Sequence, residues 1–457
     1  MNQWEQLDHE KIFRDPVLGH IYVQYKVVLN LINTAEFQRL RRVKQLGTTS
    51  FTFHGAEHSR FSHSLGVYEI TRRICDNFQK NYPTKNKNDG LWDDSERLVA
   101  LCAGLLHDLG HGPYSHTFEH IFDTNHEEIT QAIITSEETE VNQVLKTVSP
   151  DFPNKVASVI NKTYPNEQVV QMISSQCDAD RMDYLIRDSF NTGAQYGAFD
   201  LSRILQVMRP YKDGICFKIV GVHAIEDYLV SRFQMYMQVY FHPVSRSMEV
   251  ILNHLLKRSR FLFSNQKDDN QKKPDLLIPL FKNKVSLKDY LKLDDGVLNT
   301  YFIEWQDSDD EILSDLSKRF LNRRPFKSVV YDKHSAYLIK DMKKIIEDIG
   351  FDSNYYTATD NSFDQPYDIY DPDSNHHATQ IEFMREDGSL VELSEVSPIV
   401  KAITGKLLGD KRFFFPKEML NPNQNIDLFE EKYQYFNTFI HNGMIQTSKG
   451  ENNYDFN

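Results

Sequence analysis

Cysteine is scarce: Cys75, Cys102, Cys177 and Cys216 are the only four in 457 residues, and no two share a paired spacing. A disulfide frame and a cysteine zinc site are therefore excluded, and a reduced, cytoplasmic setting is expected. No apolar run approaches the roughly 18 residues that span a bilayer. The first residues, MNQWEQLDHEKIF, lack a basic stretch followed by an apolar one, so no secretory signal is expected. A basic excess is missing too. The net charge of −13 disfavours a dedicated nucleic-acid binder but leaves room for a small local phosphate site.

What is present describes a folded chain: 40% hydrophobic, 26% charged and 12% aromatic residues. The length exceeds what one core usually holds, so two or three packed domains are expected. HIYVQY reads as a short strand, and the following residues as a helix with Phe37, Leu40, Val43 and Leu46 on its apolar face. Arg39, Arg41, Arg42 and Lys44 crowd its other faces, a pattern that by itself describes a solvated surface. Asp93 and Glu96 are placed as a capping pair before RLVALCAGLL. DGICFKIV reads as a turn and a strand, and residues 224–256 as two long helices interrupted near Pro243. SNQKDDNQKKPD is a polar linker or loop, residues 352–377 are turn-rich, IEFMREDGSLVEL is a hairpin around Asp387-Gly388, and the tail SKGENNYDFN is frayed. The pattern predicts a mainly α protein, with a large helical core and a smaller α+β C-terminal part.

The stretch GLLHDLGHGPYSH, residues 104–116, carries three histidines and an aspartate. His107 and Asp108 are adjacent at a helix end, so their side chains diverge by about 100° yet can meet an ion beyond the helix. Two ligands leave a divalent metal under-coordinated. HSRFSHSLGV offers His63, and QCDADRMDYLIRD offers Asp178, Asp180, Asp183 and Asp188. Two histidines with two carboxylates suit Mg²⁺, Mn²⁺, Fe or Zn²⁺, one ion per site, with positions left for water and substrate. A lone His-Asp pair is weak evidence; His, then His-Asp some forty residues on, then Asp within DADRMDY is much more specific.

That order, His63…His107-Asp108…Asp180, resembles the metal set of the HD-domain phosphohydrolases. RFSHSLGV, AGLLHDLGHGPYSH, DADRMDYLIRD and FQRLRRVKQLG are similar to the deoxynucleoside triphosphate triphosphohydrolases, nearest the branch of the SAM-and-HD-domain dNTPases and their bacterial relatives. The resemblance is dense over residues 10–330 and thinner beyond. It implies an all-helical HD core over 51–262, preceded by a regulatory segment over 1–50 without a SAM domain. A helical extension over 263–330 and an α+β region over 331–457 follow.

It further implies cleavage of a dNTP and water to deoxynucleoside and triphosphate. His126 then matches the catalytic histidine and Glu119 its orienting carboxylate, where relatives often carry aspartate. His111, one turn beyond His107, is placed to reach a phosphate or the leaving oxygen, and His116 matches a residue near the scissile bond. Arg60, Arg181, Tyr184 and Arg232 match phosphate contacts. Gln45 and Asp188 match the groups that hold the 3′-hydroxyl, and Tyr240 the ring that excludes a 2′-hydroxyl. By pattern alone, Tyr236 and Tyr240 also fit a core aromatic stripe. Lys11, Ile12, Gln38, Arg41 and Arg323 match an activator pocket for dGTP or GTP between subunits of a homotetramer. Asn33 stands where relatives use an aspartate to read guanine. Arg203 and His242 match a second nucleotide pocket, whereas Ala224 and Pro243 depart from it. Two rivals are an HD-type hydrolase of another nucleotide and a nucleotide-sensing or single-strand-binding scaffold. The acids and the Gly-Tyr-Pro motif of signalling-nucleotide hydrolases are missing, and the intact ligand set opposes a pure scaffold.

Overall fold

The computed structural model describes residues 4–86, 89–264, 273–360, 380–403, 410–420 and 429–446. The protein is mainly α, with three small sheets among the described residues. It divides into two compact units, residues 1–239, 282–298 and 365–406, and residues 240–281, 299–364 and 407–457.

The first unit opens on an antiparallel pair, β1 (Gln6–Asp15) and β2 (Gly19–Tyr25), with Arg14 opposite His20. Only β2 is anticipated by the pattern. QLDHEKIFRD puts charge on both faces and stays largely exposed, so its pairing with β2 supplies what its composition does not. The expected single basic helix is two, α1 (Lys26–Asn33) and α2 (Ala35–Arg39), followed by a 3₁₀ turn over Leu40–Arg42. Thr34 makes the break: it is extended, and its hydroxyl accepts the Phe37 N–H as an N-cap.

The helical core follows as α3 (Arg60–Asn81), α4 (Arg97–Leu106), α5 (His116–Phe122), α6 (His126–Thr135), α7 (Glu140–Lys146), α8 (Phe152–Ile160), α9 (Glu167–Ile173) and α10 (Ala179–Thr192). Every residue of α4 is buried, as its nearly continuous apolar run requires. Asp93 caps a 3₁₀ turn, Asp94–Glu96, ahead of α4, and the Glu96 carboxylate accepts the Tyr164 hydroxyl instead of closing a capping box. α3 packs against α4 and α10, bringing the start of α3, the end of α4 and the first turn of α10 together.

After α11 (Leu201–Val207) comes a complete hairpin, β3 (Met208–Tyr211) and β4 (Gly214–Lys218). The hairpin at Asp387-Gly388 pairs its first strand, Glu382–Met384, in parallel with β4, so it belongs to this unit. α12 (Val222–Met235) runs into a π-helical turn, Tyr236–Tyr240, and α13 (Pro243–Ser264) restarts at Pro243, whose missing N–H costs nothing at a first helical position.

The second unit holds α13, the helix Glu311–Leu321 and a five-stranded sheet. Phe413 and Phe415 of the strand Arg412–Phe415 bury against Met342, Ile346 and Phe436. The linker's residues 265–272, residues 361–377 of the turn-rich stretch, and the tail from 447 lie outside the described residues. No helix among the described residues is long and apolar enough to cross a membrane.

Candidate metal centre and its neighbouring histidine pair

His63 lies on the first turn of α3 and is fully buried. Its Nδ1 is 2.8 Å from Asp183 Oδ2, and its Nε2 is 3.0 Å from Asp180 Oδ1. Asp183 is itself fixed, because Arg187 donates to it and to Asp15 at 2.8 Å each. Both acids sit on α10, three residues apart, and serve opposite nitrogens of one ring. His107 ends α4, and its Nδ1 stands 3.0 Å from the Gly104 carbonyl oxygen. A carbonyl only accepts, so Nδ1 carries the hydrogen and Nε2 is left to face Asp108 Oδ1 at 3.3 Å and Asp180 Oδ1 at 3.5 Å.

Ligand atoms of His63, His107 and Asp108 all lie within 4.8 Å of one another, and Asp180 adds the fourth. The Nε2 atoms of His63 and His107 are buried without a well-formed hydrogen bond. Two such nitrogens among carboxylate oxygens form the donor set that a divalent ion completes, so the residues fit the metal. Burial opposes charge on His63, but the close approach of Asp180, the hydrogen bond with Asp183 and the charge of Asp108 outweigh it and raise the ring to about 10. His107 is also raised despite burial, chiefly by Asp108 and Asp180. Asp108 and Asp180 are held low against their own burial, mainly by the facing histidines and, for Asp108, Arg60.

Beside this centre lies a second histidine pair. Gly110 makes it possible: a Cβ there would stand 2.2 Å from the His126 carbonyl oxygen and 2.5 Å from the Thr130 nitrogen, so only glycine lets α6 press so close. The Thr130 hydroxyl accepts the Gly110 N–H and donates to the His107 carbonyl. His111 and His126 stack at 3.9 Å between ring centroids, with 14° between their planes. Their Nδ1 atoms lie 3.4 and 3.0 Å from the same oxygen, Glu119 Oε1 on α5, and His111 Nε2 is 3.3 Å from Asp108 Oδ1. Asp108, His111 and His126 are close enough for a second ion. Stacked rings, however, present nearly parallel lone pairs, which cannot both point at one cation. Burial and the Arg60 charge push His111 well below the usual histidine range, so it is neutral at pH 7. This pair suits hydrogen bonding and proton transfer.

Cations gather alongside. Arg60 is buried at the start of α3, donates to Asp108, and places Nε and Nη2 3.1 and 2.8 Å from Ser115 Oγ. Arg181 donates to the Ser175 carbonyl, and Arg232 on α12 to Gln176 Oε1. The Arg181 charge acts on Arg232, both act on Tyr184, and desolvation pushes the Tyr184 phenol well above its usual range. Asp188 Oδ1 accepts the His58 Nε2–H at 2.8 Å, and the Gln45 N–H donates to the His58 carbonyl. His116 opens α5, its side chain lying outside the described residues. Tyr240 ends the π-turn at the start of the second unit, and Arg323 also falls in that unit. Lys11 and Ile12 lie on β1; Arg41 Nε donates to Gln38 Oε1 at 2.8 Å, and its guanidinium covers the Phe61 ring. Asn33 ends α1.

Sequence reasoning passed over Ser115, His58, Gln176 and Asp15, and treated Arg39 as surface. None has a motif; each is defined by what it touches across the fold. Arg39 is buried, with guanidinium nitrogens donating to the carbonyls of Leu109, His111 and Leu293.

The two-histidine, two-carboxylate cluster is able to hold a divalent metal and lies beside arginines on a helical core. The model of the HD domain matches residues 60–188, and that of the HD associated region residues 199–272. The protein YwfO of Bacillus subtilis is 50% identical over 424 residues, covering 91% of this chain and 94% of its own. The Dictyostelium discoideum deoxynucleoside triphosphate triphosphohydrolase SAMHD1 homolog is 28% identical over 397 residues, covering 80% of this chain and 74% of its own. A phosphohydrolase crystal structure from Bacteroides thetaiotaomicron superposes with a TM-score of 0.75 at 27% identity, covering 90% of this chain and all of that one. The chain belongs to the HD-domain phosphohydrolase family.

Proposed function

We propose that the protein is a metal-dependent dNTP triphosphohydrolase that converts a dNTP and water to a deoxynucleoside and intact triphosphate. The observation that carries this reading is the adjacency of three chemistries: the four-donor centre, the Glu119-held His111–His126 pair, and the guanidinium groups of buried Arg60 and Arg232 and half-buried Arg181. Guanidinium groups brought into one buried site favour an anion of several charges. The named activity of the Dictyostelium relative supports the same substrate class.

A divalent ion bound by His63, His107, Asp108 and Asp180 supplies Lewis acidity and an activated water. Arg181, Arg232 and Tyr184 orient the phosphates, and Arg60 offsets their charge from beside Asp108. Water attacks the α-phosphorus, its bond to the 5′-oxygen breaks, and that oxygen needs a proton. His126 delivers it, with Glu119 holding Nδ1, while neutral His111 hydrogen-bonds to a phosphate oxygen. His116 is assigned to the neighbourhood of the scissile bond. Gln45 and Asp188 hold the 3′-hydroxyl, with Tyr240 against the 2′ carbon.

Activation by dGTP or GTP and a homotetramer belong to the same proposal. Lys11, Ile12, Asn33, Gln38, Arg41 and Arg323 are assigned to the activator. Asn33 lines a cleft of about 380 Å³ together with Glu140, so a carboxylate is present there although position 33 carries an amide.

The test incubates the full chain with each dNTP and Mg²⁺ or Mn²⁺, with and without dGTP or GTP, and resolves the products. Deoxynucleoside with intact triphosphate is expected, rising with the activator in the wild type and needing more activator in Arg41→Ala. Monophosphate with pyrophosphate, or no turnover with any nucleotide, sinks the reading.

A further inference from the structure

The turn between the metal centre and α5, Gly112-Pro113-Tyr114-Ser115, has an unusual backbone. Tyr114 and Ser115 both have positive φ, 53° and 54°, and Ser115 has ψ −123°. Residues with a Cβ rarely enter this region, and two in succession persist only where the surroundings impose it. The reason to hold Ser115 so is visible in its contacts. It is buried, and its hydroxyl oxygen receives both Nε and Nη2 of Arg60, the guanidinium that also donates to the metal-set carboxylate Asp108.

What imposes the turn comes from far along the chain. Asp295 is buried at the start of the helix Asp295–Trp305. Its Oδ1 accepts the Tyr114 N–H at 2.9 Å, and its Oδ2 accepts the Lys44 N–H at 2.9 Å. One carboxylate thus ties the strained turn to the residue before Gln45. Nearby, the Tyr290 hydroxyl donates to the Gly110 carbonyl, so the same stretch braces the loop from its other end. Neighbouring Asp294 is equally buried but does something different: it accepts from the exposed Arg42 and from the Val297 N–H, touching nothing in the turn.

We propose that Asp295 is a positioning residue for the hydrolytic site, fixing the Tyr114–Ser115 turn so that Ser115 aims Arg60 across Asp108. The kinetic part rests on the phosphate role assigned to Arg60 above; the backbone part does not. Asp295→Asn keeps the size but replaces one acceptor oxygen with an NH₂ group that cannot receive an N–H, and Asp295→Ala removes both acceptors.

Hydrogen exchange of the peptide carrying Tyr114 and Ser115, read on the full chain without nucleotide, is expected to quicken in Asp295→Asn and to stay unchanged in Asp294→Asn. Should Asp295→Ala fail to fold, Asp295→Asn alone decides. Unchanged exchange overturns the proposal whether or not dNTPs are substrates. In dNTP hydrolysis, Asp295→Asn and Ser115→Ala are each expected to lower kcat about tenfold or more with metal content retained. The double variant should be no worse than the worse single one, because both act through the same hydroxyl. Losses that multiply, or an Asp294→Asn loss equal to that of Asp295→Asn, would reduce Asp295 to a general stabiliser. Absent turnover in the wild type would defeat the proposed function and leave the exchange result standing.

Discussion

Two histidine pairs lie side by side in the first unit and share Asp108, yet their geometry assigns them opposite work. His63 and His107 meet edge to face, 5.2 Å apart and 77° between planes, while His111 and His126 lie flat on one another at 14°. Rings set edgewise can direct lone pairs to a common point between two carboxylates; stacked rings cannot. Their ionisation differs in the same sense. Carboxylates on both sides raise His63 and His107, whereas burial near Arg60 keeps His111 neutral. Both clusters satisfy the same distance rule for a metal, so proximity and composition are poor guides here and ring orientation is the better one.

The largest effect should come from breaking the first pair. His107→Ala or Asp108→Ala is expected to remove bound metal and bring hydrolysis to background, read by metal analysis of the purified protein beside product formation. Retained metal and turnover in either variant would defeat the assignment. Next comes His126→Ala, expected to keep one ion per chain while losing about 10²- to 10⁴-fold in kcat, the usual worth of a positioned proton donor. If metal leaves with His126, the stacked pair is a ligand pair after all.

How much of this could be read along the chain depends on whether a residue's role is local. His63, His107-Asp108 and Asp180 are legible because helical spacing and short motifs bring them out, and the interruption near Pro243 follows from proline chemistry. Asp183 was visible only as one of four acids in QCDADRMDYLIRD. Its place on Nδ1 of His63 is a matter of helix phase that spacing alone left open. β1 has no signal along the chain because its stability lies in its partner, and the break in the basic helix is hidden because Thr34 is an ordinary residue until it caps. Arg39 reads as a surface charge until carbonyls from residues 109, 111 and 293 converge on it. Asp295, 180 residues beyond Ser115, has no local signature at all.

A smaller effect tests the support of the first pair. Asp183→Asn leaves all four donors in place but weakens the acceptor that orients His63, with Arg187 still beside it. Metal affinity is expected to fall about 10- to 100-fold, the usual cost of losing such an outer partner, with kcat at saturating metal nearly restored. An unchanged affinity would mean that Asp180 and the packing of α3 orient the ring without help.

The mildest test changes only pH. In the metal-free protein His63 titrates near 10, so its ring holds a proton at pH 7 that a metal must displace, and His107 is shifted in the same direction by Asp108 and Asp180. Affinity for Mn²⁺ should therefore rise with pH, about tenfold per unit for each proton released. The sign for stability follows from the same shift. A histidine whose folded pKa is raised lends stability that is fully present below its unfolded value and is lost as pH climbs towards 10. The metal-free protein thus loses this contribution across pH 7 to 10, while the metal-bound protein, its rings already deprotonated, does not. The gap in Tm between metal-loaded and metal-free protein is expected to widen from pH 6.5 to 8.5. A gap that narrows or stays flat would mean that the carboxylates do not hold protons on the first pair, and the electrostatic half of the contrast with His111 would fall.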